Sequence, residues 1–334
     1  MKKYLPFISL LLLLACEMQP EMDIHEELAV VPKGFPDIIY PADNELTPER
    51  WSLGKRLFFD PILSSDLSIS CASCHNPDLA FTDGRQFSKG VGARIGTRNA
   101  PSLANVAYHP YLLREGGVPT LEMQILVPIQ EHAEFDFNIL LIADRMKEDS
   151  TYVRASQEAY GRDPDPFVIT RAISTFERTI ISGNSRYDHF INGDSESLSV
   201  AEQRGRDLFF NDRLACSRCH GGFNFTNYTF ENNGLYTDYT DPGRFRVTGE
   251  EADRALFKVP SLRNVDVTSP YMHDGSLATL EEVVEHYNSG GRNHPHKSNL
   301  IKPLYLTALE QADLVAFLKT LTDYSFLADE KFRH

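Results

Sequence analysis

The stretch Cys71-Ala72-Ser73-Cys74-His75 recurs in the second half of the chain as Cys216-Ser217-Arg218-Cys219-His220. Positions i and i+3 lie on one side of a helical turn, so both thiols of a stretch can reach one edge of the same flat ring. This pattern is the attachment signature of a c-type haem, in which two cysteines form thioethers with the vinyl groups and the histidine ligates the iron. It predicts two covalently bound haem c groups, attached through Cys71, Cys74, Cys216 and Cys219 and ligated by His75 and His220.

The cysteine count supports haem over a disulfide or zinc framework. Four of the five cysteines lie in the two stretches and the fifth is Cys16, so none is left over for a disulfide framework. A zinc site made of two Cys-x-x-Cys pairs usually has them roughly 15–20 residues apart, whereas most of a domain separates these pairs. Zinc would also leave the histidine after each pair unexplained, and haem attachment is the stronger interpretation.

The N-terminus is typical of an exported protein. Met1-Lys2-Lys3 precedes an apolar stretch at 4–15 that is too short to span a membrane as a helix. The ending Leu13-Leu14-Ala15-Cys16 resembles a bacterial lipoprotein cleavage box, although an ordinary signal that ends near a cysteine is the alternative. We predict a lipoprotein-type signal peptide at 1–15 and a periplasmic or cell-envelope protein, attached to a membrane only through a lipid on Cys16.

Charge and composition limit the partners. The net charge of −14 argues against nucleic-acid binding, whereas an acidic surface can steer a basic redox partner. An acidic, proline-punctuated stretch without apolar period follows the signal, so residues 16–44 are predicted to be a tether. The remainder, 45–334, is long enough for two domains.

Three segments recur in the same order around the two haem stretches, which indicates duplication of a single-haem unit. The matches are Gly54–Asp60 with Gly205–Asn211, Pro101–Val106 with Pro260–Val265, and Thr120–Glu122 with Thr279–Glu281. A solenoid would need more copies at a shorter period. We therefore predict an N-terminal peroxidatic haem domain at 45–185 and a C-terminal electron-transfer haem domain at 186–334, with the two roles taken from the resemblance described below.

Helix signals predominate over strand signals. A serine or threonine followed three residues later by glutamate opens apolar-periodic segments at Ser199, Thr279 and Thr307. Pro48 suits a first helical position, and Pro166–Ile181 has the period of an amphipathic helix. The predicted fold class is mainly α, with two cytochrome c-like haem domains in tandem, packed with the haems near their interface.

Further motifs are spread over nearly all of the predicted mature domain, from Pro48 to Leu321. They are Leu57–Asp60, Ser70–His75, Arg98–Ser102, Pro270–Gly275 and Asp313–Leu318. In combination they resemble the bacterial di-haem cytochrome c peroxidases and their relative MauG, which matures methylamine dehydrogenase. The combination is far more specific than any one motif.

The resemblance implies an enzyme that reduces hydrogen peroxide to water with electrons from a small cytochrome c or cupredoxin. An alternative is a MauG-like enzyme that uses a high-valent iron state to oxidise a protein or organic substrate. A non-enzymatic alternative is a di-haem electron carrier, which would need a sixth protein ligand on the first haem; Met123 is the nearest candidate in sequence. The oligomeric state stays open, a homodimer included.

The resemblance also implies residue roles at the reactive, N-terminal haem, whose proximal ligand is His75. The family's glutamine–glutamate pair maps onto Gln124 and Glu134. Glu134 would carry a proton from one peroxide oxygen to the other while Gln124 hydrogen-bonds the ligand. Glu131 and His132 are nearby competitors for the proton-carrying role.

The electron-transfer haem, with His220 as proximal ligand, needs a second axial ligand. The family position falls on Tyr287, where the high-potential peroxidases have methionine and MauG has tyrosine. Methionine raises a haem potential, and a phenolate should lower it because it stabilises the ferric charge. Met272 and His286 are the alternatives.

Two departures from the family pattern affect the expected mechanism. Some members close the reactive haem with a histidine from the loop that corresponds to Ser88–Thr97, which here has none, so we predict an open reactive haem in the resting oxidised state. The family's inter-haem tryptophan is replaced by Arg114, and the only tryptophan is Trp51. Tyr108 or Tyr111 is a candidate substitute for electron hopping.

A structural Ca²⁺ between the domains is also implied by the resemblance. Its protein ligands map onto Asn99 and onto the backbone carbonyls of Thr268 and Pro270. Oxygen ligands completed by water suit Ca²⁺. The alternative is that Asn99 only orders a turn before Pro101.

Overall fold

The computed structural model describes residues 28–333, and its regular structure is mostly helical. The α-helices of this part are α1 (Pro48–Phe59), α2 (Leu121–Gln124), α3 (Leu126–Gln130), α4 (Ile139–Lys147), α5 (Ser150–Tyr160), α6 (Pro166–Arg178), α7 (Arg186–Ile191), α8 (Val200–Phe210), α9 (Cys216–Cys219), α10 (Phe245–Thr248), α11 (Leu280–Ser289), α12 (Ala308–Lys319) and α13 (Tyr324–Leu327). Two short strands, β1 (Phe230–Glu231) and β2 (Phe257–Lys258), pair antiparallel. Single 3₁₀ turns fill several loops, among them Cys71–Ser73 and Val106–Tyr108. The predicted mainly α class is confirmed.

The helix starts lie where the capping signals predict them. Thr47 caps α1, with Pro48 as the first helical residue, and reciprocal capping boxes open α8 at Ser199, α11 at Thr279 and α12 at Thr307. These short-range hydrogen bonds satisfy backbone amides that have no partner inside the helix. Local sequence therefore suffices to position these ends.

Helix α6 is three residues shorter than the predicted Pro166–Ile181. The buried Asn105 explains the early end: its backbone amide donates to the carbonyl of Ile180 at 2.8 Å, and its side-chain amide donates to the carbonyl of Ser182 at 2.8 Å. The Asn105 side-chain oxygen also accepts from the Ser182 amide. The backbone groups that would continue the helix are thus bonded to a distant residue.

The sequence repeat corresponds to two similar helix crossings. A Cβ built on Gly54 in α1 would lie 1.9 Å from the carbonyl oxygen of Ala172 in α6, and one built on Gly205 in α8 would lie 1.9 Å from that of Asp313 in α12. Both distances are impossible for a real Cβ atom, so only glycine lets these helices approach so closely. The matched glycines of the repeat therefore have the same packing role in each half.

The buried core has two main regions that follow the repeat. One joins α1, α4, α5 and α6, and the other joins α8, α11 and α12. A further aromatic cluster brings Phe326 and Phe332, near the end of the chain, against Phe81 in the first half. The division at 45–185 and 186–334 stays a prediction.

Residues 28–44, the described part of the predicted tether, pack against the helical body. The Phe35 ring lies 4.7 Å from that of Phe223, and Asn44 is fully buried, donating to the carbonyl of Arg171 at 3.0 Å. These apolar and hydrogen-bonding contacts hold the segment along the surface. Cys16 and the predicted signal peptide lie outside the described residues. In the described range, no helix combines the length and apolarity that a membrane crossing requires.

Candidate haem-binding cavity

A single cavity of about 740 Å³ is lined by both Cys-x-x-Cys-His stretches. Residues predicted for the two haem sites and for the calcium site meet on its wall. They are Cys71, Cys74, His75, Asn99, Gln124, Glu134, Cys216, Cys219, His220, Thr268, Pro270, Met272 and Tyr287. Long-range folding thus brings together sites that are far apart in sequence.

The first stretch holds its histidine in one orientation. A capping box between Ser70 and Ser73 closes the turn that carries the thiols. The Nδ1 of His75 lies 2.9 Å from the carbonyl oxygen of Phe81; because a carbonyl only accepts, Nδ1 is the donor and Nε2 keeps its lone pair. Burial lowers the pKa of His75, which favours the neutral imidazole that an iron ligand requires.

The second stretch repeats this arrangement on α9. The Nδ1 of His220 lies 3.2 Å from the carbonyl oxygens of both Phe225 and Pro260, so Nε2 is again the nitrogen with the free lone pair. Burial lowers the pKa of His220 to about 4. Both histidines are therefore neutral at pH 7 and oriented by the protein before any metal binds.

The cysteines suit thioether bonds rather than a zinc thiolate site. All four are free, and burial raises the pKa of Cys74 to about 11 and that of Cys216 to about 12, which keeps the thiols protonated. In residues 28–333, no three or more His, Cys, Asp or Glu side chains come together as a metal site. Paired thiols, an oriented neutral histidine and a deep cavity beside each stretch fit haem c.

The predicted proton carrier, Glu134, faces this cavity near the first stretch. Its side chain is exposed to the cavity, and desolvation by the surrounding wall, together with the nearby Glu131 carboxylate, raises its pKa to about 7. Its backbone carbonyl accepts from Val91 at 2.9 Å. A Cβ on Gly90 would lie 2.1 Å from the carbonyl oxygen of Ala133, so a glycine there lets the 88–97 loop pack tightly on this turn.

The competitors of Glu134 differ in position. Glu131 also lines the cavity and stays an alternative. His132 does not line it; its side chain is 72% exposed and lies 3.1 Å from the carboxylate of Asp136. Gln124, at the end of α2, lines the cavity as the family position predicts.

The candidates for the second ligand of the electron-transfer haem differ in whether they line the cavity. Tyr287 and Met272 line the cavity, whereas His286 does not, and its Nε2 lies 3.1 Å from the carbonyl oxygen of Asn233. The sulfur of Met272 accepts from the side-chain amide of Asn233 at 3.2 Å. Burial raises the pKa of Tyr287 to about 12, so its phenol stays neutral unless a cation lies at its oxygen.

The 88–97 loop brings no histidine to the cavity wall. The wall includes Ser88, Ile95 and Thr97 from the 88–97 loop, none of which carries an iron-binding nitrogen or sulfur. Met123, the ligand that an electron carrier would need, does not line the cavity and is 51% exposed. An open face at the first site stays a prediction.

The predicted calcium ligands are only partly available. The carbonyl oxygens of Thr268 and Pro270 accept no hydrogen bond within the described residues. Asn99, however, is bonded by the guanidinium of Arg114, which reaches its carbonyl oxygen at 2.7 Å and its side-chain oxygen at 3.0 Å. A cation of the chain thus occupies the oxygens of the one side-chain ligand, and the residues do not fit an open calcium site.

The only tryptophan and the two tyrosines that are candidates for electron hopping lie away from the cavity wall. Trp51 lies in α1, and its indole donates to the side chain of Thr179, just after α6, at 2.9 Å. Tyr108 packs on Phe35 and Tyr111 is 45% exposed; neither lines the cavity. None of the three contributes to the cavity surface that the two stretches share.

Sequence reasoning missed two buried polar groups of the cavity wall. Glu177 in α6 is 5% exposed, one carboxyl oxygen has no hydrogen-bond partner, and burial raises its pKa to about 8. When α6 and α12 are aligned at their glycine crossings, Glu177 corresponds to Leu318. A glutamate at a position that is apolar in the other repeat could have been noticed in the sequence. His109 has a buried Nε2 without a partner, and its Nδ1 accepts from Lys258 at 3.3 Å; no local pattern predicts this contact.

The helical fold and two oriented Cys-His stretches on one cavity define a c-type cytochrome with two haem sites. A profile described as di-haem cytochrome c peroxidase matches residues 48–196. Over 286 residues the chain is 37% identical to the methylamine utilization protein MauG of Methylorubrum extorquens, covering 84% of this chain and 80% of that protein. It is 34% identical to the cytochrome c551 peroxidase of Nitrosomonas europaea, with 83% and 82% covered.

The chain belongs to the di-haem cytochrome c peroxidase and MauG family. The crystal structure of a MauG-like protein associated with microbial copper homeostasis matches with a TM-score of 0.85 at 39% identity, over 90% of this chain and 97% of that chain. The diheme peroxidase BthA from Burkholderia thailandensis matches with a TM-score of 0.73 over 85% and 88% of the two chains; at 24% identity it supports the shared fold alone. Covalently bound haem c follows from the family.

Proposed function

We propose that this protein is a di-haem peroxidase that reduces hydrogen peroxide to water. The observation that carries the proposal is the placement of Glu134 and Gln124 on the wall of the cavity that also holds His75. The pKa of Glu134, about 7, suits a group that accepts and returns a proton at neutral pH. The oriented, neutral imidazole of His75 suits the proximal side of the same haem.

The first haem, when bound, supplies the redox centre at which the peroxide is reduced. Two electrons and two protons convert one peroxide into two waters. The Glu134 carboxylate takes the proton from the peroxide oxygen nearer the first haem site and gives it to the other oxygen, which leaves as water. Gln124 donates a hydrogen bond that orients the peroxide for this proton transfer by Glu134.

Electrons would enter through the second site, where His220 and Tyr287 would hold the iron of the second haem. Tyr287 lines the cavity beside Cys216 and Cys219, and a phenolate is a strong ligand for ferric iron that lowers its potential. The acidic chain, of net charge −14, favours a basic small cytochrome c or cupredoxin as the donor.

A MauG-like activity is the second candidate. It is favoured by Tyr287 at the position where the peroxidases with a high-potential haem have methionine, and by the 37% identity to MauG. In that case a protein or organic substrate, instead of a small redox protein, supplies the two electrons that reduce peroxide to water and is itself oxidised. The same Glu134 and Gln124 serve both candidates.

Location follows from the N-terminal pattern. We propose a periplasmic or cell-envelope protein that is lipid-anchored through Cys16, because the sequence ends its apolar segment in a lipoprotein-type box. Replacement of Cys16 by serine in the full-length precursor would then release the haem protein into the soluble periplasmic fraction.

Stopped-flow mixing with peroxide tests the function. Peroxidase activity predicts a rapid change in the haem spectrum and peroxide-dependent oxidation of reduced cytochrome c. A long-lived spectral change without donor oxidation would favour the MauG-like candidate. A haem spectrum that does not respond to peroxide would overturn both.

A further inference from the structure

We infer that the guanidinium group of Arg114 is the permanent cation at the junction of the two repeats, in place of the calcium ion that the family resemblance implies. The group is part of the chain, so the junction keeps its positive charge without a metal. This inference concerns structure and metal content and does not depend on the proposed activity.

The contacts of Arg114 are those of a cation bound by oxygen ligands. Its Nε and Nη2 donate to the backbone carbonyl of Asn99 at 3.1 and 2.7 Å, and Nη2 also donates to the Asn99 side-chain oxygen at 3.0 Å. The side-chain nitrogen of Asn99 donates to the carbonyl of Arg85 at 2.8 Å. The Arg85 carbonyl requires a donor and the Arg114 guanidinium requires an acceptor. The side-chain amide of Asn99 can therefore adopt only this orientation.

The surrounding charges leave no carboxylate for a divalent ion. Three acids act on Arg114, and two of them, Glu115 and Asp241, are paired with Arg98, the latter at 2.6 Å. Asp274 accepts from the Tyr236 hydroxyl at 2.6 Å. A calcium ion would therefore have only neutral oxygens as ligands, one of them already bonded to a buried guanidinium that repels it.

Arg114 stays charged in this setting. Burial, with Arg98 adjacent, lowers its pKa to about 10, which still leaves it protonated at pH 7. All three side-chain hydrogen bonds of Arg114 go to Asn99 in the same half, and its own backbone carbonyl accepts from Lys258 of the other half at 2.7 Å. The guanidinium is thus fixed at the point where the repeats meet.

The related position in the other half also contains a cation of the chain. The repeat register pairs Asn99 with Lys258 and Tyr111 with Pro270. The backbone follows this relation, because Asn99 donates to the carbonyl of His273 at 3.0 Å while Lys258 donates to that of Arg114. At the counterpart of the calcium position, the ammonium of Lys258 donates to the carbonyl of Tyr111 at 2.6 Å.

Metal analysis of the purified holoprotein tests the inference. After exposure to CaCl₂ and removal of free ion, we expect substoichiometric calcium, and EDTA should change neither the melting temperature nor the haem spectrum. One firmly held calcium per chain, or a fall in melting temperature with EDTA, would overturn the inference whatever the protein's activity.

Two variants identify the group responsible. Arg114→Trp, which installs the residue that the family has there, should bind one calcium per chain and become sensitive to EDTA. Arg246→Trp is the matched control, since Arg246 also lines the cavity but does not contact Asn99; it should stay calcium-free. If folded Arg114→Trp also binds no calcium, Arg114 is not what excludes the ion, and the inference fails; if it does not fold, the wild-type measurement decides alone.

Discussion

Glu134 is the residue on which the proposed chemistry depends most directly, because it must both accept and release a proton. Its carboxyl group lies on the cavity wall, and the turn that carries it is packed against Gly90 and bonded to Val91. The side chain is exposed to the cavity, yet desolvation by the surrounding wall and the Glu131 charge raise its pKa to about 7. The environment, rather than the residue type, makes it a suitable proton carrier.

Glu134→Gln should slow the reaction with peroxide by roughly 10²–10⁴-fold, because the amide keeps the size of the side chain but cannot accept a proton. Stopped-flow rates measure this. Glu131→Gln is the control: it removes a neighbouring carboxylate from the same wall and should change the rate only a few-fold. Equal rates for Glu134→Gln and wild type would remove Glu134 from the mechanism.

The rate of reaction with peroxide should depend on pH in a defined direction. The proton-accepting form of Glu134 is the carboxylate, so the peroxide rate of the wild type should rise as pH increases through about 7. Glu134→Gln should lose this rise and give a flat profile over the same window. A wild-type rate that falls with increasing pH would show that the protonated acid is the active form.

Tyr287→Phe should change the ferric spectrum of the second haem alone, because it removes the phenolate oxygen and leaves the ring. Magnetic spectroscopy of the resting protein reads the ligand change. Tyr271→Phe is the matched control, since Tyr271 lines the same cavity but its hydroxyl donates to the carbonyl of Val265 at 2.9 Å. An unaltered spectrum for Tyr287→Phe would transfer the role to Met272.

At the scale of elements, the two glycine crossings position the sites. Helix α6, which crosses α1, contributes Glu177 to the cavity wall, and α8 and α12 contribute Phe209 and Leu318. Each pair is held at a distance that only a glycine permits, at Gly54 and Gly205. Any side chain at these positions must separate the helices and so displace the cavity wall.

Gly54→Ala should destabilise the fold by about 3 kcal/mol or more, since its methyl group would overlap the Ala172 carbonyl and no rotation can relieve a Cβ clash. Thermal or denaturant unfolding of the holoprotein gives the value. Ser52→Ala, on the exposed side of the same helix, is the control and should lie within about 0.5 kcal/mol of wild type. Similar stability for both variants would show that the crossing is adaptable.

Local signals predict the elements well but not their partners. The capping residues Ser199, Thr279 and Thr307 act within one turn, and the haem stretches are read within five residues, so sequence suffices for both. The end of α6 depends on Asn105, which is distant in sequence, and the predicted extension to Ile181 was therefore too long. The contact of Arg114 with Asn99 likewise could not be predicted from the periodicity of the sequence.

At the scale of the whole molecule, duplication followed by divergence explains the organisation. Both halves keep the glycine crossing and the oriented histidine, which any haem c unit needs. They differ on the cavity wall, where the first half has Gln124, Glu134 and the buried Glu177 and the second has Tyr287 and Leu318. On the proposed function, the first unit would carry the proton chemistry and the second would hold its iron through His220 and Tyr287.

Chain segments outside the repeat join the halves. Phe326 and Phe332 return from the C-terminal end to pack on Phe81, and Phe35 in the 28–44 segment lies against Phe223 of the second half. These contacts could not be predicted from composition, because the acidic, proline-punctuated 16–44 stretch resembles a tether. Its described part is instead bound to the body through a few aromatic and amide groups.

Electron paramagnetic resonance of the resting ferric holoprotein tests the central claim most directly, because one spectrum reports both irons. The account predicts one high-spin signal, from an iron held by His75 with its other face open, and one low-spin signal, from an iron between His220 and Tyr287. Two low-spin signals that peroxide leaves unchanged, or a protein without haem, would contradict it.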